Sequence, residues 1–243
     1  MRRRTLLRSA GGTALMAAAP AALRADEIVE VDLRLVIAVD VSRSIDEDEA
    51  RLQRRGYLEA LADRRVIDAM TGGPLQRVAL AYVEWAGTHY QRTIVNWTLI
   101  DSAATAASFA AQLDESPLTA QSWTAVGAGL AYAGAKFDEP LFRSKRNIID
   151  ISGDGKNNNG PPAELVRDEL VRRGIVINGL PIISDRPNFG RPPEADLDAY
   201  YEEKVIGGPG SFIVVARGFE DFGRAIRNKM TREISKAITP HSS

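Results

Sequence analysis

A doubly wound α/β domain is the fold class this sequence predicts, with a mostly parallel sheet, one antiparallel edge strand and helices on both faces. Two patterns carry that reading. Short apolar runs rich in valine and isoleucine, at 36–39, 78–85, 147–151 and 175–183, read as strands buried on both faces, as parallel sheets require. Between them lie stretches with apolar residues at three- and four-residue spacing, the period of an amphipathic helix. A third observation sets the edge. The turn at Gly87-Thr88, between 78–85 and 91–97, is too short for a crossover and predicts a hairpin.

The elements follow in order. Residues 31–35 alternate and run into 36–39, and this first strand ends at Asp40. Asp46, Glu47, Asp48 and Glu49 supply the acids that suit a helix N-terminus. Tyr57, Leu58, Leu61, Ala62, Val66 and Met70 then form the apolar stripe of one helix, stopped by Thr71-Gly72-Gly73-Pro74. After the hairpin, Asp101-Ser102 caps an alanine-rich helix, and a further helix covers 126–137. The strand 147–151 leads to a helix opened by Pro161-Pro162 and ended near Arg173-Gly174. Strands are expected at 175–183 and 211–215, an exposed loop at 184–193, and a closing helix at 219–238 with a frayed tail. No repeat or composition break divides 26–243, which reads as a single domain.

Composition narrows the chemistry. The chain has 243 residues, 44% hydrophobic and 26% charged, a globular balance. It has no cysteine, which excludes disulfides, thiolate metal sites and cysteine nucleophiles. Its two histidines, His89 and His241, cannot build a zinc cluster, and His89 beside the hairpin turn reads as a solvated residue. Residues 1–25 have a basic start, a short apolar middle and a small-residue end, the pattern of an export signal peptide. Arg3-Arg4-Thr5-Leu6-Leu7-Arg8 resembles the twin-arginine signal, with cleavage after Ala21 or Ala25. Removing the five arginines of 1–25 from 31 basic residues against 32 acidic ones leaves a net charge of −6. That balance favours neither nucleic acid nor anionic lipid. No later stretch reads as a membrane span, so a periplasmic or secreted protein is expected.

Three oxygen-rich loops fall at the carboxyl end of the expected sheet, where open α/β sheets bind ligands. They are Asp40-Val41-Ser42-Arg43-Ser44, Ser122-Trp123-Thr124, and Ser152-Gly153-Asp154-Gly155 with Lys156, Asn157, Asn158 and Asn159 behind it. A carboxylate followed by hydroxyls two and four residues later can turn three oxygens to one point as a strand bends into a loop. Hard divalent ions want oxygen ligands, and magnesium takes six at about 2.1 Å while keeping several waters. One carboxylate and two hydroxyls leave the ion under-neutralised, so it seeks a further carboxylate from a partner.

Asp40-x-Ser42-x-Ser44, Thr124 ahead of a helix, and the aspartate of Ser152-Gly153-Asp154-Gly155 together resemble the metal-ion-dependent adhesion site (MIDAS) of von Willebrand factor type A domains. The resemblance covers roughly residues 31–238 and looks closest to exported, stand-alone bacterial proteins of unknown function. It implies that Ser42 and Ser44 ligate a metal directly and that Asp40 and Asp154 act directly or through water. Thr124 would join or leave the ligand set as a partner binds. The ion implied is Mg2+, with Mn2+ or Ca2+ as alternatives, and the partner is a protein offering a carboxylate. Asp154, at the loop position, is preferred over Asp150, which sits inside the strand. The loop after Asp154 departs from the pattern. Its lysine and asparagines either narrow the partner range or replace part of a second ligand's role, and both readings stay open.

Plainer readings compete at each position. Ser44 also suits a helix cap, and the glycines and asparagines suit any tight turn. Trp85, Trp97 and Trp123 read first as packing, with Trp123 the best placed for a partner-binding rim beside Lys156 and Asn157. Two other functions compete with a binding module that is not an enzyme. One is a phosphatase-like hydrolase with Asp40 as nucleophile, although Ser42 stands where such enzymes carry a second aspartate as general acid. The other is a structural or assembly factor of the cell envelope.

Overall fold

The computed structural model describes residues 28–184 and 194–235. The expected leader at 1–25, the loop segment 185–193 and the tail from 236 lie outside them. The first half of the chain forms β1 (Val29–Glu30), β2 (Leu33–Asp40), α1 (Glu47–Ala62), α2 (Arg64–Thr71), β3 (Val78–Trp85), β4 (Gln91–Ile100) and α3 (Ala103–Glu115). The second half forms α4 (Val126–Ala135), β5 (Phe142–Arg143), β6 (Asn147–Gly153), α5 (Ala163–Arg172), β7 (Ile175–Ile183), α6 (Leu197–Tyr200), β8 (Ala216–Arg217) and α7 (Phe222–Ser235).

Among the described residues, six strands make the main sheet in the order β4-β3-β2-β6-β7-β8, and β1 pairs with β5 apart from it. Every neighbouring pair of the six is parallel except β3 with β4, the expected hairpin edge. From β2 the sheet grows outward through β3 and β4, and from β6 it grows the other way through β7 and β8. The carboxyl ends of β2 and β6 therefore flank the topological switch point, where such sheets hold ligands.

Side chains alternate across a strand, and β2 shows the consequence. Leu33, Leu35, Ile37 and Val39 pack with Tyr57 of α1, Phe109 of α3 and Phe222 of α7. Val36 and Ala38 pack on the other face with Val126 of α4, Leu170 of α5 and Leu197 of α6. Asp40 follows the even-numbered set, so its carboxyl lies on the α4–α6 side.

Several expected boundaries move. The single helix expected over residues 46–70 is two, α1 and α2. Asp63 is extended between them (φ −71°, ψ 127°), its backbone N–H closing α1 on the Ala60 carbonyl and its carboxylate accepting from Arg65 N to open α2. Strand β6 continues through Ser152 and Gly153, two residues beyond the expected end. The strand expected at 211–215 is reduced to a bridge between Ile213 and Gly179, because the Asn178 side chain takes the Phe212 N–H, and regular pairing resumes only at Ala216–Arg217. The helical segment 197–205, which ends in a π-turn over Tyr201–Val205, has no counterpart in the sequence reading.

Candidate metal centre

β2 delivers Asp40, fully buried, to the switch point. Its Oδ1 accepts from Ser42 N at 2.7 Å, which bends the chain out of the strand. Its Oδ2 is buried and has no hydrogen-bond partner among the described residues. The loop that follows is tied to the second one by backbone bonds, Gln121 N to the Val41 carbonyl at 2.9 Å and Arg43 N to the Gln121 carbonyl at 2.6 Å. The Ser42 and Ser44 hydroxyls lie 2.8 Å apart, and Ser44 donates to Asp154 Oδ1 at 2.6 Å. The cap of α1 is Asp46, in a reciprocal capping box with Glu49, so the capping role considered for Ser44 is filled by another residue.

Thr124 is buried at the mouth of α4 and is held from the third loop. Its N–H donates to Asn158 Oδ1 and its carbonyl accepts from Asn158 N, both at 2.9 Å. Asn157 Oδ1 accepts from Gly127 N at 3.1 Å and Asn159 Oδ1 from Thr88 N at 2.8 Å. The three asparagines thus staple the Asp154 loop to the Thr124 loop and the hairpin turn. A Cβ on Gly155 would stand 3.5 Å from the Thr124 hydroxyl, so the two loops face each other closely. Trp123 has a left-handed backbone (φ 71°) and is 63% exposed, an unusual conformation for a bulky residue. Lys156 Nζ lies 3.9 Å from Glu194, and the Asn157 amide Nδ2 donates to the Pro161 carbonyl at 3.3 Å. Trp85 is buried, Trp97 packs on Phe137, and His89 is exposed at the turn.

Asp150, the rival of Asp154, faces the opposite side of the sheet. It is buried against α7, 2.5 Å from Lys229 Nζ, which also meets Glu233 at 2.5 Å. Ser152, on the same face as Asp150, exchanges a hydrogen bond with the Tyr57 hydroxyl at 3.1 Å.

Both carboxyls of the site are shifted upward in pKa. Burial pushes Asp40 well above the ordinary carboxylate range, and the nearby charge of Asp154 pushes it further. Burial likewise raises Asp154 to about 6, against the opposing effect of the Ser44 hydrogen bond. Among the described residues, no three histidine, cysteine or acidic side chains are grouped to hold a metal. An ion here would depend on hydroxyls and two carboxylates, with the unpartnered Asp40 Oδ2 as the clearest sign of fit. Gly153 is part of the construction, because a Cβ there would stand 2.8 Å from Asp40 Oδ2 and 2.9 Å from the Tyr201 hydroxyl. Tyr201 had no place in the sequence reading. The available signal was a pair of glycines, Gly153 and Gly179, inside buried strands, which marks close approach of another group.

No curated protein matches the chain. The structure of conserved hypothetical protein BatB from Bacteroides thetaiotaomicron is 18% identical, with a TM-score of 0.54 over 84% of this chain and 98% of that one. A von Willebrand factor type A structure from Catenulispora acidiphila is also 18% identical, with a TM-score of 0.54 over 85% of this chain and 43% of that one. Proximal thread matrix protein 1 from the mussel byssus, solved with a zinc-occupied MIDAS motif, is 10% identical, with a TM-score of 0.59 over 86% of this chain and 49% of that one. This chain therefore spans nearly all of the first structure and about half of the other two. The fold is von Willebrand factor type A-like, and with a family match running from residue 30 to 238 the chain belongs to the family described as protein of unknown function, DUF1194.

Proposed function

We propose that this chain is an exported, metal-dependent protein-binding module. The observation that carries the reading is the convergence of Asp40, Ser42, Ser44 and Asp154 at the switch point, with Asp40 Oδ2 buried and unpartnered. Ser42, Ser44, Asp40, Asp154 and Thr124 would hold a magnesium ion, with manganese or calcium as substitutes. A divalent ion held mostly by neutral oxygens supplies an electrophilic position for a partner's carboxylate. Trp123, exposed beside Thr124, and Lys156 with Asn157 on the neighbouring loop would form the rim that the partner touches. The zinc in the mussel protein's MIDAS motif supports a metal at this kind of site in this fold. Residues 1–25 would direct the chain to the periplasm or outside, and no helix among the described residues is long and apolar enough to cross a membrane.

A hydrolytic reading has less support. The position two residues after Asp40 is Ser42, whose hydroxyl is engaged with Ser44 and lacks the acidity of a general acid. Isothermal titration with magnesium and manganese tests the proposal. The wild type should bind, and Asp40→Ala should lose most of the binding. Identical behaviour of the two proteins contradicts the reading.

A further inference from the structure

Tyr201 occupies a place that phenylalanine would fill with less cost. It is fully buried, and its hydroxyl has no hydrogen-bond partner among the described residues. Burying a hydroxyl unsatisfied is unfavourable, so a hydroxyl kept there calls for a reason. The surroundings are shaped around it. A Cβ on Gly179 of β7 would stand 2.7 Å from the Tyr201 ring, and a Cβ on Gly153 of β6 would stand 2.9 Å from its hydroxyl. Two glycines in adjacent strands thus leave room for the ring and for its oxygen near Asp40, at the end of β2.

The oxygen it reaches is the other orphan. Asp40 Oδ2 lies 2.8 Å from the same Gly153 Cβ position, so the two unpartnered oxygens are within reach of one bridging water. The backbone adds to the arrangement. Tyr201 starts the π-turn Tyr201–Val205, closed by Ile206 N on the Tyr201 carbonyl at 2.9 Å, and such turns recur at functional sites. Its neighbour Tyr200 faces the same loop, its hydroxyl accepting from Asn157 N at 3.2 Å.

We infer that Tyr201 is a positioning residue of the metal centre, its hydroxyl holding, through a shared water, the Asp40 carboxylate in the orientation that receives the ion. The inference rests on the metal-binding reading above and assigns this chain a supporting residue outside the loop motif. Groups that orient metal ligands typically change metal affinity 10–100-fold when removed.

The test is Tyr201→Phe in the full chain, titrated with manganese chloride alone beside the wild type, with the melting temperature of each protein measured in chelator. The expected result is manganese affinity at least about tenfold weaker in the variant, with the cooperative unfolding of the native fold retained in chelator. The relaxation of water protons by bound manganese should also differ between the two proteins, a signature that packing alone would not move. Equal affinity and equal relaxation would overturn the assignment while leaving the metal site standing. A wild type that binds no manganese would overturn both. A variant that melts lower in chelator and binds as tightly would make Tyr201 a packing residue and overturn the assignment too.

Discussion

Lys229→Met removes the one cation in a buried trio on the α7 side of the sheet. The amine is fully buried, 2.5 Å from Asp150 Oδ1 and 2.5 Å from Glu233 Oε1. Glu233 is raised to about 8, first by burial and then by the charge of Asp150, so near neutral pH it keeps its proton and the trio holds one ion pair. Methionine fills similar volume but leaves the Asp150 carboxylate buried without its counter-charge. Breaking a buried pair from one side costs about 3–5 kcal/mol. For a domain of this size each kcal/mol lowers the melting temperature by about 2–4 °C, so a fall of roughly 6–20 °C is expected. Asp150→Asn should cost less. It removes the second cause of the raised Glu233 pKa, and Glu233 can then ionise and serve as the partner of Lys229. Urea unfolding followed by tryptophan fluorescence measures both variants. A loss under about 1 kcal/mol for Lys229→Met, or a larger loss for Asp150→Asn, would refute the reasoning.

Glu233 also sets a pH dependence. Its folded value of about 8 lies above the ordinary 4.5, so between those limits the native state keeps a proton that the unfolded chain releases. Its contribution to stability is therefore complete below about pH 4.5 and declines as pH rises to about 8, by at most about 1.4 kcal/mol per pH unit. Unfolding curves from pH 5 to 8 should be flatter for Glu233→Gln than for the wild type. Gly153→Ala places a methyl 2.8 Å from Asp40 Oδ2 and 2.9 Å from the Tyr201 hydroxyl. It should abolish manganese binding by calorimetry while circular dichroism keeps the native spectrum. Asn158→Ala leaves Thr124 N without its acceptor at 2.9 Å and should cost about 1–3 kcal/mol in urea unfolding.

The sheet was legible because β2, β3, β6 and β7 are largely buried on both faces and are rich in valine, isoleucine, leucine and alanine. The cap at Ser102 was legible because its hydroxyl accepts from Thr105 N, a local signature. What escaped depended on distant contacts. Asp63 interrupts an apolar periodicity that continues across it, since Val66 and Met70 bury against the same core as Leu61. The pairing of Asp150 with Lys229 joins residues 79 positions apart, and nothing near Asp150 announces it. The role of the three asparagines stayed open because Thr88, Thr124 and Gly127 come from other segments. At the site itself, the spacing Asp40-x-Ser42-x-Ser44 is local and was readable. Tyr201 arrives on a helical segment whose alignment with Gly153 exists only in three dimensions.

The central claim is that distant loops share one cation through serine oxygens. A crystal of the full chain soaked in manganese and measured for anomalous scattering tests it most directly. The account predicts one peak within bonding distance of the Ser42 and Ser44 hydroxyls, with Asp40 and Asp154 beside it. An anomalous peak elsewhere on the molecule, or none at saturating manganese, would contradict it.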